Sequence, residues 1–228
     1  IGIGNTPAEQ FQLWRNGVQV PLYTTVQTGV MGAADYIEFW GERNDGKPDK
    51  SLYRIADHQL NNKYSLETDT AFFFLSINPA GNNLRLAPAA NSLPTALIAE
   101  PYFMHSEGIY YRNKINLGQG YPVGSLVYSS AYDPGEGWTS TDIGTGLSRN
   151  ETLSGLNPYT GSDAPAPSLK VNVTGNAQNP RQVELKVNSA QVALQTMDFW
   201  EYAKINAPLT VSQISSGTAA IEVVNRCL

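Results

Sequence analysis

Leu169-Lys170-Val171-Asn172-Val173-Thr174-Gly175, followed by Val183-Glu184-Leu185-Lys186-Val187-Asn188, decides the fold class. In both runs apolar and polar residues alternate. An extended chain then has one greasy side and one wet side, the period-two signature of a half-buried strand. Each run stops at Gly175 or Asn188, residue types that accept turn conformations. Val192-Ala193-Leu194 follows, and residues 209–214 and 219–224 read as the closing strands. Short strands at this spacing predict a jelly-roll-like antiparallel sandwich over residues 93–228.

Working outward toward the N-terminus, Phe11-Gln12-Leu13-Trp14 and Val18-Gln19-Val20-Pro21-Leu22 flank Arg15-Asn16-Gly17. Asn-Gly between alternating runs marks a hairpin, because both residues accept positive φ. Tyr36-Ile37-Glu38-Phe39-Trp40 reads as the next strand, and the aromatic stretch 71–77 as a buried one. Residues 87–96, small and punctuated by proline, read as a connection. The fold class expected is therefore all-β, in two β modules, residues 1–92 and 93–228. Residues 96–105 read as one more strand and 155–168 as a long loop. For 198–206 the pattern leaves a helical turn and a strand equally open.

Composition agrees with this reading. Of 228 residues only 15% are charged, with 20 Gly, 14 Pro and 12 Tyr, as in a turn-rich β protein rather than a helical bundle or a disordered tail. The net charge is −5, and the 15 Lys and Arg form no run, which argues against a nucleic-acid partner. No apolar stretch is long enough to span a membrane as a helix. The chain opens Ile1-Gly2-Ile3-Gly4, without Met or a signal segment, and is expected to be a mature or excised piece. Its single cysteine, Cys227, supports no disulfide framework and leaves the compartment open.

Few residues offer chemistry. A Cys–His enzyme needs a thiolate beside an imidazole. Cys227 sits at the end of a predicted strand, and His58 and His105, the two histidines, lie in no motif of that kind. Catalytic residues are therefore not expected. Gly2-Ile3-Gly4 and Asp142-Ile143-Gly144-Thr145-Gly146 read as turns, not phosphate cradles. No cofactor is expected. The single ion candidate is a structural calcium at Asp45 and Asp49, where acidic oxygens surround the turn at Gly46, although the spacing is not that of an EF-hand.

Asp133-Pro134-Gly135-Glu136-Gly137-Trp138 holds the most interesting acid. Glu136, between two glycines, reads as a structural carboxylate that receives backbone N–H groups in a tight loop. As a glycosidase acid it would need a second carboxylate across a sugar, which the sequence does not place. Tyr132, Trp138 and Trp200 lead a set of aromatics that would stack on a sugar in a carbohydrate-binding module; otherwise they are core and sandwich surface.

One segment carries a family resemblance. Residues 35–53, Asp35-Tyr36-Ile37-Glu38-Phe39-Trp40-Gly41-Glu42-Arg43-Asn44-Asp45-Gly46-Lys47-Pro48-Asp49-Lys50-Ser51-Leu52-Tyr53, lead on to Leu60-Asn61-Asn62-Lys63-Tyr64-Ser65-Leu66 and Thr68-Asp69-Thr70-Ala71-Phe72-Phe73-Phe74-Leu75. Together with the hairpin at 11–21 and Gly135-Glu136-Gly137-Trp138, this resembles the non-catalytic N-terminal region of gingipain-related cysteine peptidases of Bacteroidetes, in particular PorU-like sortases of the type IX secretion system. The resemblance is close over residues 10–77 and looser after 100. It implies an extracellular or cell-surface location and a caspase-like peptidase domain C-terminal to residue 228, so no catalytic residue carries over. It also implies partners: that peptidase domain, secreted protein cargo and outer-membrane secretion components. A carbohydrate-binding module and a surface adhesin domain are the alternative readings.

Overall fold

The computed structural model describes residues 3–90, 92, 98–118, 121–122, 126–127 and 132–227. Among them the strands are β1 (Phe11–Arg15), β2 (Val18–Val20), β3 (Leu22–Thr24), β4 (Ile37–Phe39), β5 (Phe74–Ile77), β6 (Lys114–Asn116), β7 (Tyr121–Pro122), β8 (Leu126–Val127), β9 (Gly137–Thr139), β10 (Ser148–Ser154), β11 (Ser168–Thr174), β12 (Arg181–Val187), β13 (Ala190–Met197), β14 (Tyr202–Pro208) and β15 (Thr218–Cys227). One α-helical turn, α1 (Val211–Ile214), and three short 3-10 turns complete the elements. Every ladder between strands is antiparallel, so the chain is all-β as expected.

The residues group into two compact units, one of Ile1–Asn44 with Thr68–Ile98 and the other of Asp45–Glu67 with Ala99–Leu228. The stretch 45–67, which the sequence reading kept in the first module, thus packs with the second unit. Half of the connection expected at 87–96, residues 91 and 93–96, lies outside the described residues.

In the first unit, β1 is the central strand of a sheet ordered β2-β1-β5, and β3 pairs with β4. The hairpin turn falls at Asn16 and Gly17, with φ of 49° and 76°, as the Asn-Gly signal predicts. Pro21 has no N–H to continue a ladder, and β2 and β3 are separate strands on either side of it. Phe11, Leu13 and Leu22 form the core, with Val20, Ile37 and Phe73 packed against it. The two aromatic strands are shorter than their apolar runs suggest, Ile37–Phe39 within 36–40 and Phe74–Ile77 within 71–77, and the second is not the buried strand expected, since Phe74, Leu75 and Ile77 are exposed at the edge of their sheet.

The second unit contains a sandwich. A four-stranded sheet, β10-β15-β12-β13, faces the two-stranded sheet β11-β14. Alternation places Val183, Leu185 and Met197 inward from one layer and Ile205 from the other, with Leu169, Val171 and Val173 packed against them. Val187, Leu209, Ile214, Ala219 and Ile221 extend the core toward one end. A bulge between Leu185 and Lys186 shifts the β12–β13 register, and Val192, beside that shift, packs into both clusters.

Two expectations fail in informative ways, and a third segment takes both of the forms left open. Residues 209–214 do not form a strand; Val211–Ile214 is a helical turn, because Gln213 Oε1 accepts the Thr210 N–H at 2.8 Å and closes it. Described residues 98–105 do not form a strand either. Pro101 lacks an N–H, and the Tyr102 ring stacks on Tyr159 at 5.2 Å instead of facing a neighbouring strand. Residues 198–206 divide the ambiguity, with a turn at Asp198–Glu201 closed by a 2.9 Å backbone bond before β14 begins at Tyr202.

Leu185 has no exposed surface. Leu185→Ala is expected to cost about 2–5 kcal/mol of unfolding free energy, whereas truncating a half-exposed leucine costs far less. Leu194, 47% exposed on the neighbouring strand, is the control. Urea unfolding of both variants checks the difference; equal losses would mean the two sheets do not share a core.

Candidate functional site

The residues singled out for chemistry are brought together only in part. Glu136, Trp138, Tyr132 and Asp49 meet in one polar knot in the second unit. Asp45 and Trp200 lie apart from it by their contacts.

The knot is built on the 133–138 turn. Gly135 and Gly137 have φ of 77° and 145°, the left-handed region that glycine occupies without strain. Glu136 N–H bonds the Asp133 carbonyl at 3.1 Å, and Glu136 Oε2 accepts the Asp133 N–H at 2.9 Å. The carboxylate therefore closes its own loop. Around it, Tyr53 donates its hydroxyl to the Glu136 carbonyl at 2.6 Å, Asn116 Nδ2 donates to the Gly135 carbonyl at 3.0 Å, and Gly135 N–H donates to the His58 carbonyl at 3.1 Å. A Cβ on Gly135 would stand 2.5 Å from Thr174 Oγ1, so the turn sits against β11 because that position has no side chain.

Asp49 belongs to the same knot. It is buried, and its two oxygens accept the Ser65 hydroxyl at 2.8 Å and the Leu66 N–H at 2.7 Å. Tyr132 stands edge-on to Tyr53 at 5.2 Å and gives its hydroxyl to Glu67. Trp138 Nε1 donates to the Ser65 carbonyl at 2.9 Å, and the Arg112 guanidinium lies over its ring at 5.1 Å. Sequence reasoning missed Tyr53, Ser65, Asn116 and Arg112. No local pattern announces them, since their partners lie up to 83 residues away along the chain.

Electrostatics follow from burial. Glu136 has its carboxyl raised above the ordinary carboxylate range, first by burial and then by the neighbouring Asp133, against the lowering effect of the Asp133 N–H. Burial, together with the charges of Glu136 and Asp49, raises the Tyr53 phenol. Burial and the hydrogen bond to Glu67 do the same for Tyr132. These phenols stay neutral donors.

The calcium candidates are not joined in one ligand set. Asp45 accepts the Lys47 N–H at 3.0 Å and pairs with the Lys47 ammonium at 2.8 Å, while Asp49 serves Ser65 and Leu66. Among the described residues no three His, Cys, Asp or Glu side chains are grouped to hold a metal ion. Trp200 stacks on Phe199 at 6.1 Å, in the turn where Arg181 Nη2 donates to the Phe199 carbonyl at 2.8 Å. Trp138, covered on one face by Arg112, and Trp200, in a different turn, do not make one aromatic platform.

His58 stands edge-on to Tyr202 at 5.7 Å, and its Nδ1 is buried with no hydrogen-bond partner among the described residues. His105 is exposed in the segment that forms no strand. Cys227 is at the end of β15, its backbone opposite Arg181; its side chain lies outside the described residues.

Glu136→Gln keeps an oxygen acceptor for Asp133 N–H and removes the charge. A carboxyl whose pKa is raised on folding costs nothing below its unfolded pKa, where both states are protonated. It penalises the fold increasingly as pH rises through the folded pKa. The variant is therefore expected to melt higher than the wild type at pH 7, with the gap closing as pH falls into the ordinary carboxylate range. Thermal unfolding across that range checks the sign. Gly135→Ala should be destabilised by about 1–3 kcal/mol or more, from the positive φ and the contact with Thr174.

No protein-family model matches the chain, and a search of curated proteins returns no match.

Proposed function

We propose that this chain is a non-catalytic, extracellular β region of a gingipain-like cysteine peptidase or type IX secretion sortase, which scaffolds the peptidase domain or presents substrate to it. The observation that supports the reading is the use made of the Glu136 turn. In Gly135-Glu136-Gly137-Trp138, one of the motifs that carry the resemblance, the carboxylate accepts a backbone N–H of its own loop and the indole N–H is taken by Ser65. Polar groups bonded in this way hold a loop in place, as a scaffold requires; a general acid must instead keep its proton in reach of a substrate oxygen. The partners in this reading are a peptidase domain of the same parent chain, secreted protein cargo and outer-membrane secretion components.

A peptide-hydrolysis assay on the purified chain tests the reading. No turnover above buffer is expected, and Cys227→Ala should change nothing. Turnover abolished by Cys227→Ala would sink the proposal.

A further inference from the structure

In the first unit, the sheet β2-β1-β5 ends at β5, and the second edge of β5 has no strand partner among the described residues. The direction of its backbone groups follows from the ladder. Asn78 donates its N–H to the Gln10 carbonyl at 2.8 Å, and the register pairs Gln12 with Ser76 and Trp14 with Phe74. Hydrogen-bonded and non-bonded pairs alternate in an antiparallel ladder. Phe74 and Ser76 therefore point their N–H and C=O groups at β1. Leu75 and Ile77 point theirs away from it, along the open edge.

Both faces of this strand carry exposed apolar side chains as well. Phe72 and Phe74, on one side, are 62% and 66% exposed; Leu75 and Ile77, on the other, are 43% and 44% exposed. An open edge with apolar side chains on both faces is a template for another strand. Natural edges are commonly blunted by lysine, proline or a bulge. From Thr70 to Leu84 the chain has no ionisable residue, and its first proline in that stretch is Pro79, beyond β5.

We propose that the occupant of this edge is β5 of a second copy of this chain, paired antiparallel across a two-fold axis at Leu75. The absence of charge removes the repulsion that pairing with itself would otherwise meet. In a two-fold pairing a segment that carries charge of one sign meets that same sign, and this segment carries none. The groups also fit. With Leu75 on the axis, the outward N–H and C=O of the two Leu75 residues bond each other. Phe74 then falls opposite Ser76, a large ring beside a small side chain, and Phe73 opposite Ile77, an aromatic against a β-branched residue. The result is a continuous sheet, β2-β1-β5-β5-β1-β2, with Leu75 and Ile77 of both copies covered. This dimer does not depend on the peptidase reading.

Sedimentation velocity on the intact chain over a range of micromolar concentrations is the test, joined to amide hydrogen exchange. A reversible monomer–dimer equilibrium is expected, with exchange at Leu75 and Ile77 slowing as concentration rises. Leu75→Lys places two ammonium groups together at the axis and is expected to raise the dissociation constant at least about tenfold. Val18→Lys, on the opposite edge strand of the same sheet, should leave it unchanged. Circular dichroism shows whether each variant is folded. Should Leu75→Lys unfold, the exchange of the wild-type amides decides alone. A monomer at every concentration, exchange at Leu75 and Ile77 insensitive to concentration, or a dimer broken by Val18→Lys and not by a folded Leu75→Lys would each overturn the proposal.

Discussion

The second unit depends on a rule about buried polar groups: each needs a hydrogen-bond partner, because leaving one unpaired costs on the order of 1–3 kcal/mol. The 133–138 turn and the 45–67 stretch satisfy that rule for each other. Asn116 and Tyr53 accept no apolar substitute, since the carbonyls of Gly135 and Glu136 would be left bare. Asp49 plays the same part for Ser65 and Leu66. The same stretch then reaches the outer side of the two-stranded sheet, where Asn172 Nδ2 donates to the Leu60 carbonyl at 2.6 Å and Lys204 pairs with Asp57 at 2.6 Å. These contacts hold an irregular segment in place where a strand would use a ladder.

This arrangement also explains why an acid with a raised pKa need not be a catalyst. Glu136 is shifted by burial and by Asp133, the same causes that tune active-site carboxylates. Its oxygen, however, points back at the Asp133 N–H in its own loop.

Much of the fold was legible in the sequence because strands repeat every second residue. Alternation located β11 and β12, and Asn16-Gly17 announced the first hairpin. Where alternation is polar on both faces, the signal vanished. β10, Ser148–Ser154, turns Arg149 and Glu151 to the side that Leu153 faces, and the two charges pair with each other at 2.9 Å. Nothing in a hydropathy pattern marks such a strand. Residues 209–214 misled for the opposite reason, since Leu209-Thr210-Val211-Ser212 alternates as a strand does until Gln213 captures the Thr210 N–H. In the site, Glu136 stood out because two glycines flank it. Tyr53 and Asn116 did not, because their partners are remote along the chain.

The chain leaves the first unit after Asn44 and returns to it at Thr68. Neither unit is a continuous stretch of gene. On a ribosome, Asp57 and His58 emerge long before Lys204 and Tyr202, their neighbours in the finished molecule. The excursion can therefore complete these contacts only after Lys204 and Tyr202 have been made. Recombination faces the same tie. A crossover anywhere between the two visits splits both units, so they can be exchanged between genes only as one cassette.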